Sequence, residues 1–187
     1  MEPFEIAGQI LGILQTIIYI ISIQFSKRSY ILFSFSALNV TSFLNHLLVG
    51  SGFTAVFGCA IAAVHCFVNA LLVIRGHEFT LFENLTWSAV YIASWVLGIC
   101  MSVNDGSFTP LEFITLITLL FYFGTVFFKS ERVIRYCTLG NSVGYLVYNL
   151  AHMNIAAVSQ LLSIISTVVA LIRFREKKVP PLVNKTK

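Results

Sequence analysis

Hydrophobic residues along this chain form long continuous runs, separated by short polar breaks. Each run spans about 20 residues, the length that an α-helix needs to cross a hydrocarbon layer roughly 30 Å thick. Apolar and polar residues do not alternate within the runs, so the pattern favours helices over strands. The breaks contain glycine, asparagine or charged residues, which are typical of helix ends. The predicted helices lie at about 4–25, 30–49, 53–74, 83–103, 110–128, 133–151 and 155–174.

Composition places these helices in a membrane. The 187 residues are 57% hydrophobic and 11% charged, whereas a soluble domain is roughly one quarter charged. Lipid offers no hydrogen-bond partner to a bare backbone, so only helices or closed barrels cross it. The predicted fold class is therefore all-α, a polytopic membrane protein with seven transmembrane helices and the lipid bilayer as its first partner.

The basic residues indicate the orientation. Of the twelve lysines and arginines, six lie in or beside the first, third and fifth loops: Lys27, Arg28, Arg75, Lys129, Arg132 and Arg135. The other six lie between Arg173 and Lys187. Because cytoplasmic loops carry the excess of basic residues, the N-terminus is predicted outside and the C-terminus in the cytoplasm. If the last two helices were one, the basic tail would lie on the opposite side of the membrane from the other basic loops. The basic residues do not form a patch on a soluble domain, so nucleic acid is not a predicted partner.

The chain also repeats weakly at an offset of 102 residues, which aligns Phe25 with Phe127 and Asn39 with Asn141. Each repeat contains three helices, and because three is odd, an intervening fourth helix makes the repeats parallel, as in some secondary transporters. The predicted organisation is a first three-helix repeat at 1–79, a linker transmembrane helix at 80–105, a second three-helix repeat at 106–175 and a basic cytoplasmic tail at 176–187.

Uncharged polar residues form stripes on several predicted helices. Such groups are costly in lipid and must face protein or water, which makes them candidates for a functional site. One hypothesis is a polar cavity between the repeats that binds a small polar solute, and the other is hydrogen bonding between helices. The candidate solute-binding residues are Asn39, His46, His65, Asn69, Tyr148, Asn149, Gln160 and Ser163.

Three further features have two interpretations each. Thr109-Pro110-Leu111-Glu112 matches a capping box, with Glu112 near a helix start, and the alternative is a proton-coupling carboxylate; Glu5 has the same two interpretations. His46 titrates near neutrality and is either structural or a proton relay. Gly8 and Gly12 form a G-x-x-x-G pattern that allows close helix packing, including that of a homodimer.

The sequence makes no positive case for an enzyme. It has no nucleophile–base pair, no paired carboxylates and no glycine-rich phosphate loop. The four cysteines lie within apolar runs without CxxC spacing, so neither disulfides nor a metal site is predicted. No cofactor is predicted either.

Several short segments resemble the YgjV family of small bacterial inner-membrane proteins. They are Ala7-Gly8-Gln9, Lys27-Arg28, the stretch from His46 to Gly50, Pro110-Leu111-Glu112 and Tyr148-Asn149. The resemblance implies a bacterial inner-membrane location.

The helix layout is similar to that of the SWEET and PQ-loop transporters, which share the 3+1+3 plan. This similarity implies a substrate site between the repeats, lined by asparagine residues of the third and seventh helices. Asn69 matches the third-helix position, and Gln160 and Ser163 are the nearest polar groups on the seventh. The paired Pro-Gln motif is absent. The sequence therefore predicts a small-solute transporter or facilitator, and the alternative is a non-transporting membrane scaffold or assembly partner.

Overall fold

The computed structural model describes residues 3–50, 52–77, 80–128, 130–154 and 156–173, where all regular structure is helical. Its helices are α1 (Pro3–Gln24), α2 (Arg28–Val49), α3 (Phe53–Ile74), α4 (Leu81–Asn104), α5 (Glu112–Phe127), α6 (Glu131–Ala151) and α7 (Ala156–Arg173). The all-helical fold with these seven helices is confirmed, and their ends lie within about two residues of the predicted ones. The predicted basic tail at 176–187 lies outside the described residues, as does Lys129.

The start of α5 differs from the prediction. The helix begins at Glu112, not at residue 110, and the Glu112 N–H bonds to the Thr109 carbonyl at 3.0 Å. The Thr109 hydroxyl has no hydrogen-bond partner, so the predicted capping box was wrong. The physical reason is that the Glu112 carboxyl accepts hydrogen bonds from two other helices and does not turn back to Thr109. The side chain of Glu5 lies outside the described residues.

The link between α6 and α7 was the least marked break in the sequence, because it contains neither glycine nor proline. The chain turns there at Met153, which has a φ of 52° and a side chain that is 91% exposed. Asn154 then begins the next helix, since its Oδ1 accepts a hydrogen bond from the Ala156 N–H at 3.0 Å. Asparagine is a favoured residue at such helix starts, so a short polar break is sufficient to end one helix and begin another.

Six of the helices pack in a ring. Sequence neighbours pack together within α1–α2–α3 and within α5–α6–α7, and the two groups meet where α1 contacts α7 and where α3 contacts α5. We call these groups the first half and the second half. Contacts along α1 and α7 follow the same chain direction, from Thr16 with Ser159 to Gln24 with Arg173. Both helices of this pair are therefore parallel.

The fourth helix lies outside the ring, against α3 and more lightly against α5. Its buried residues form one narrow stripe: Tyr91, Ser94, Gly98 and Ser102. Gly98 permits the closest approach, because a Cβ at this position would lie 2.7 Å from the Thr54 Cα. The rest of α4 is largely exposed and apolar, including Leu85 and Ile92.

The outer surface is that of a membrane-embedded protein. Five helices, namely α1, α2, α3, α4 and α7, are long and apolar enough to cross a membrane. The fifth helix is apolar but has only 16 residues. The sixth has 21 residues and carries many polar ones, several of which are buried, such as Arg135, Ser142 and Asn149. Its exposed residues include Val143, Val147 and Leu150, so its lipid-compatible side faces outwards.

Candidate functional site

A cavity with a volume of about 70 Å³ lies within the ring of helices. Residues from α1 to α6 line it, and α4 contributes Tyr91, Ser94 and Trp95 through the gap between α3 and α5. A neighbouring chamber of about 40 Å³ shares Asn39 and Asn141 with it and adds Gln160 of α7. A water molecule needs roughly 10–15 Å³ of such space. The two chambers are therefore large enough for several waters or a very small solute.

The walls of both chambers combine apolar side chains, such as Phe35, Leu38 and Leu119, with uncharged polar groups. Hydroxyl groups come from tyrosine, threonine and serine side chains, and amide groups come from Gln15, Asn39, Asn141 and Gln160. Among the described residues that line the two chambers, His46 is the one nitrogen base, and no lysine, arginine, aspartate or glutamate is present. Such walls suit neutral hydrogen-bonding solutes, because no buried charge has to be compensated by the ligand.

Each half contributes one asparagine to the walls of both chambers. Asn39 on α2 and Asn141 on α6 line both chambers. Asn39 Nδ2 donates to the Phe35 carbonyl at 2.7 Å, and Asn141 Nδ2 donates to the Thr118 carbonyl at 2.9 Å. One hydrogen of each amide is thereby used, while the carbonyl oxygens of both side chains remain available as acceptors. These are the positions that the 102-residue offset aligns.

Of the eight predicted solute-binding residues, three line the chambers. Asn39 lines both, and His46 and Gln160 line the smaller one. His46 is 3% exposed, and its ring centroid lies 6.3 Å from that of Tyr145. The structure therefore brings these three residues together around one space.

The two candidates on the third helix lie elsewhere. His65 is fully buried against α4, where its ring stacks on Trp87 with centroids 4.2 Å apart and its Nδ1 lies 3.2 Å from the Tyr91 hydroxyl. Asn69 donates from Nδ2 to the Val126 carbonyl at 3.4 Å, near the end of α5. Neither residue lines a chamber, and both connect helices.

The remaining three candidates also lie outside the chambers. Tyr148 is fully buried and donates its hydroxyl to Glu112 at 3.4 Å. Asn149 is 1% exposed, and its Oδ1 has no hydrogen-bond partner. Ser163 donates to the Ser159 carbonyl of its own helix at 2.8 Å. Three of the five residues outside the chambers, His65, Asn69 and Tyr148, thus form hydrogen bonds between helices, which is the second of the two interpretations of the polar stripes. Ser163 bonds within its own helix.

Sequence reasoning missed part of the wall. Asn141 and Tyr145 of the polar stripe on the sixth helix line the chambers. The sequence prediction named Tyr148 and Asn149 from that helix instead. The repeat was the signal that could have identified Asn141, because it aligns this residue with Asn39. The lining residues of α4 and α5, such as Trp95 and Tyr122, had no comparable signal, because aromatic residues are frequent throughout the chain.

The halves contact each other at the end of the bundle that carries the basic loops, here called the basic end. Arg28, at the start of α2, donates from Nη2 to the Val126 carbonyl at 2.8 Å, in the last turn of α5. Arg135 of α6 donates from Nη2 to the Phe25 carbonyl at 3.3 Å, directly after α1. Each half therefore supplies a guanidinium group to the C-terminal end of the other half's first helix, where the helix dipole favours a positive charge.

The halves also meet at the opposite end, here called the acidic end because Glu112 lies there. Thr54 of α3 donates its hydroxyl to Glu112 Oε2, and Tyr148 of α6 donates to Oε1. Close by, Asn45 of α2 donates to the Gly8 carbonyl at 2.6 Å and accepts from Asn154 at 3.4 Å. Both ends of the cavity are thus bordered by hydrogen bonds between the halves.

The G-x-x-x-G pattern serves contacts within the chain. The Gly8 carbonyl accepts from Asn45 of α2, and the Gly12 carbonyl accepts from Ser159 of α7 at 2.9 Å. A Cβ at Gly8 would lie 2.6 Å from a methyl group of Val49. The small residues therefore allow α1 to approach α2 and α7, and a homodimer stays a separate prediction.

No family model matches the sequence, and no curated protein or solved structure shows significant similarity to it.

Proposed function

We propose that this chain is a transporter or facilitator for a small, neutral, polar solute, which binds in the central cavity between the two halves. The observation that carries the proposal is the pairing of Asn39 and Asn141, one from each half, on the walls of the same polar cavity. A solute held by both amides would contact both halves at once. Rocking of one half against the other would then expose it to either side, as in transporters built from repeats.

The size of the cavity also supports this function. A volume of about 70 Å³ is small for a solute site, since ligand pockets usually measure about 300–1,000 Å³. Hydrogen bonds between the halves border the cavity at both ends. These features fit a closed intermediate that must open at one end to admit its solute, in the manner of alternating access.

The proposal includes a seven-span topology with parallel repeats, an extracellular N-terminus and a bacterial inner-membrane location. In the repeats, α1 corresponds to α5 and α3 corresponds to α7. Replacing both helices of the α1–α7 contact by their counterparts gives the α5–α3 contact, so the two contacts between the halves are equivalent, which supports the proposal. The inward burial of the polar residues of α6 supports its placement across the membrane. An impermeant thiol reagent applied to cells should label a cysteine at Ser107 but not one at Arg132, in a background where the native cysteines are replaced by serine.

The test of the function is uptake by phospholipid vesicles that contain the purified full-length protein. The probes are radiolabelled glycerol, glucose, alanine and glutamine, each compared with vesicles that lack protein. We expect at least one of them to enter faster. Asn39→Ala and Asn141→Ala should each reduce its uptake by about tenfold, the effect of losing one hydrogen bond worth roughly 1.4 kcal/mol.

Asn104→Ala is the matched control, because Asn104 is an exposed asparagine at the end of α4 and should leave uptake unchanged. Uptake no faster than in empty vesicles for every probe would contradict the transport function. Stable co-purification with another membrane protein, unaffected by Asn39→Ala and Asn141→Ala, would instead support a scaffold or assembly partner.

A further inference from the structure

Hydroxyl groups in the wall of the larger chamber donate their hydrogens to the protein. Five of them donate to backbone carbonyls, namely those of Ser94, Thr115, Tyr122, Thr125 and Thr138. A carbonyl oxygen can only accept, so the partner fixes the direction of each bond. Each of these hydroxyl groups has thereby used its one hydrogen and keeps lone pairs that can accept from a ligand.

Other donors of the same wall are also occupied. Trp95 Nε1 donates to Thr115 Oγ1 at 2.9 Å. The Tyr19 hydroxyl lies 3.3 Å from Thr167 Oγ1, and Thr167 donates its own hydrogen to the Ser163 carbonyl at 2.8 Å. Thr167 must therefore accept from Tyr19. The polar hydrogens of these two aromatic side chains are thus directed into the protein.

Two further tyrosines of this wall also have protein partners. The Tyr91 hydroxyl lies 3.2 Å from His65 Nδ1. The Tyr145 hydroxyl is hydrogen-bonded to Thr118, which gives its own hydrogen to the Thr115 carbonyl at 2.8 Å. Tyr145 is therefore the donor in its bond with Thr118, and neither tyrosine depends on a ligand for a partner.

The amides of Asn39 and Asn141 leave groups available to a ligand. Both side chains are half-buried although they lie inside the ring. Each Nδ2 donates one hydrogen to a backbone carbonyl, at 2.7 and 2.9 Å. A side-chain amide has two N–H donors and an oxygen with two lone pairs. Each asparagine therefore offers the chamber one N–H donor and one oxygen acceptor.

An unpaired acceptor belongs to the wall of the smaller chamber. The Gln15 side chain is 6% exposed, and its Oε1 has no hydrogen-bond partner. A buried oxygen without a partner is costly and calls for an explanation. A ligand that donates a hydrogen bond would remove this cost. His46 and Gln160 line the same chamber and carry N–H groups that can bind a carbonyl oxygen of the ligand.

The larger chamber can thus accept more hydrogen bonds from a ligand than it can donate. The best match is a solute with several N–H groups and few acceptors. Urea has four N–H donors and one carbonyl oxygen, and a primary amide has two N–H donors and one carbonyl oxygen. A polyol instead carries two lone pairs for every O–H group, and burial leaves such acceptors unsatisfied where the wall has few donors.

We propose that the central cavity binds small neutral ureas and primary amides, which present N–H groups to a wall of acceptors. This inference rests on the proposed transport function and names its solute class. The solute N–H groups donate to the amide oxygens of Asn39 and Asn141 and to the wall hydroxyl groups. The solute carbonyl oxygen accepts from the remaining amide N–H. Because both asparagines take part, the solute contacts both halves.

The first test compares two ligands that differ in one group. Acetamide and acetone have nearly the same size, but acetamide has an NH2 group where acetone has a second methyl group. Binding to the full-length protein in lipid nanodiscs is measured by saturation-transfer NMR of the methyl protons, with empty nanodiscs as the blank. We expect acetamide to bind about tenfold more tightly than acetone, the effect of one or two hydrogen bonds. Equal binding, or tighter binding of glycerol than of acetamide, would overturn the proposal.

The second test removes the amide oxygens. Asn39→Leu and Asn141→Leu keep a side chain of similar size, and each should weaken acetamide binding by about tenfold while acetone binding stays the same. Asn104→Leu is the matched control, because Asn104 is exposed at the end of α4 and should change neither ligand. Unchanged preference for acetamide in both cavity variants would count against the assignment.

A third variant tests the hydroxyl acceptors with little risk to folding. Thr138→Val keeps the shape of the side chain, and Thr138 gives its hydrogen to the Ile134 carbonyl of its own helix. Acetamide binding should weaken about fivefold, as expected for one hydrogen bond between neutral groups. Thr86→Val is the control, since Thr86 bonds in the same way to the Phe82 carbonyl at 2.9 Å but is exposed on α4. Equal effects of the two variants would contradict the role of the wall hydroxyls.

These measurements do not depend on transport. Selective acetamide binding without solute uptake would support the assigned solute class and refute only transport. Uptake of a probe by a protein that does not distinguish acetamide from acetone would refute only the solute class. If an asparagine variant does not fold, the wild-type comparison and Thr138→Val still decide the question.

Discussion

The two ends of the bundle join the same halves with opposite chemistry. At the basic end, Arg28 and Arg135 donate to backbone carbonyls across the halves, and guanidinium groups stay charged at every physiological pH. At the acidic end, Glu112 accepts from neutral hydroxyl groups and has no cation partner among the described residues. The comparison teaches that charged donors join the halves at one end, whereas a carboxyl group that accepts from neutral hydroxyl groups lies between them at the other.

The ends also differ in how their charges are stabilised. The guanidinium groups of Arg28 and Arg135 bind the C-terminal ends of α5 and α1, respectively, where the helix dipole favours a cation. Arg135, which is 2% exposed, also has Glu131 within 3.5 Å. Glu112 is 1% exposed in the first turn of α5, where the helix dipole favours an anion, and its carboxyl accepts hydrogen bonds from two hydroxyl groups. Both ends therefore use the partial charge of a helix terminus, with opposite sign.

The largest expected effect comes from breaking the acidic end through its backbone support. Gly98→Val would drive a side chain into the backbone of Thr54, which lies 2.7 Å from the position of the added Cβ. Thr54 would then shift away from Glu112. Overpacking of this kind typically costs 1–3 kcal/mol, so we expect a loss of about 3 kcal/mol in the free energy of unfolding. The measurement is denaturant-induced unfolding in detergent.

Ala93→Val is the matched control for this prediction. Ala93 lies on the exposed face of α4, so the same added volume should change stability by less than about 0.5 kcal/mol. Equal destabilisation by both variants would indicate that the close approach at Gly98 is unimportant.

The next effect in size comes from breaking the basic end. Arg135→Met would leave the Phe25 carbonyl without its guanidinium donor and Glu131 without its cation. We expect a loss of about 2 kcal/mol, within the range for hydrogen bonds to charged groups.

Arg132 offers the comparison for this variant. Its guanidinium group lies 5.8 Å from the centre of the exposed Tyr136 ring, which belongs to the same helix. Arg132→Met should therefore leave the free energy of unfolding within about 0.5 kcal/mol of wild type. A similar loss in both variants would show that charge at this end matters more than the hydrogen bond to Phe25.

The smallest expected effect on stability comes from a change between the two ends. Gly58 lines the larger chamber within α3, and a Cβ there would meet no heavy atom within 4 Å. Gly58→Ala should stabilise the protein by about 0.5–1 kcal/mol, because alanine favours the helix. The methyl group also occupies part of the cavity, so uptake of the transported probe should fall. Unchanged uptake would show that the solute does not pass this chamber.

The helices and their order could be predicted from the sequence because hydropathy is a local property. A run of apolar residues indicates a helix that can cross a membrane, whatever its neighbours are. The ends of six helices agreed with turn residues or charges in the breaks. The exception was the start of α5, where Thr109 and Glu112 have the spacing of a capping box. Glu112 forms its bonds with Thr54 and Tyr148, and such tertiary partners override a local cap.

The candidate site could be predicted only in part. The sequence identified which helices carry polar stripes, and Asn39, His46 and Gln160 do line the chambers. It could not distinguish them from Asn69, which has the same chemistry but donates to the end of α5. A polar residue in a membrane must face either a cavity or another helix, and both solutions produce the same pattern along one chain.

What the sequence determined by itself was therefore the number, length and order of the helices, together with the position of their charged residues near the helix ends. The tertiary structure decided which polar groups meet. Thr54 and Glu112 are 58 positions apart in the chain, and their contact arises because α3 and α5 pack together at the junction of the halves. The physical reason is that burial of an apolar run depends on its own residues, whereas a buried hydrogen bond requires a partner that only packing can supply.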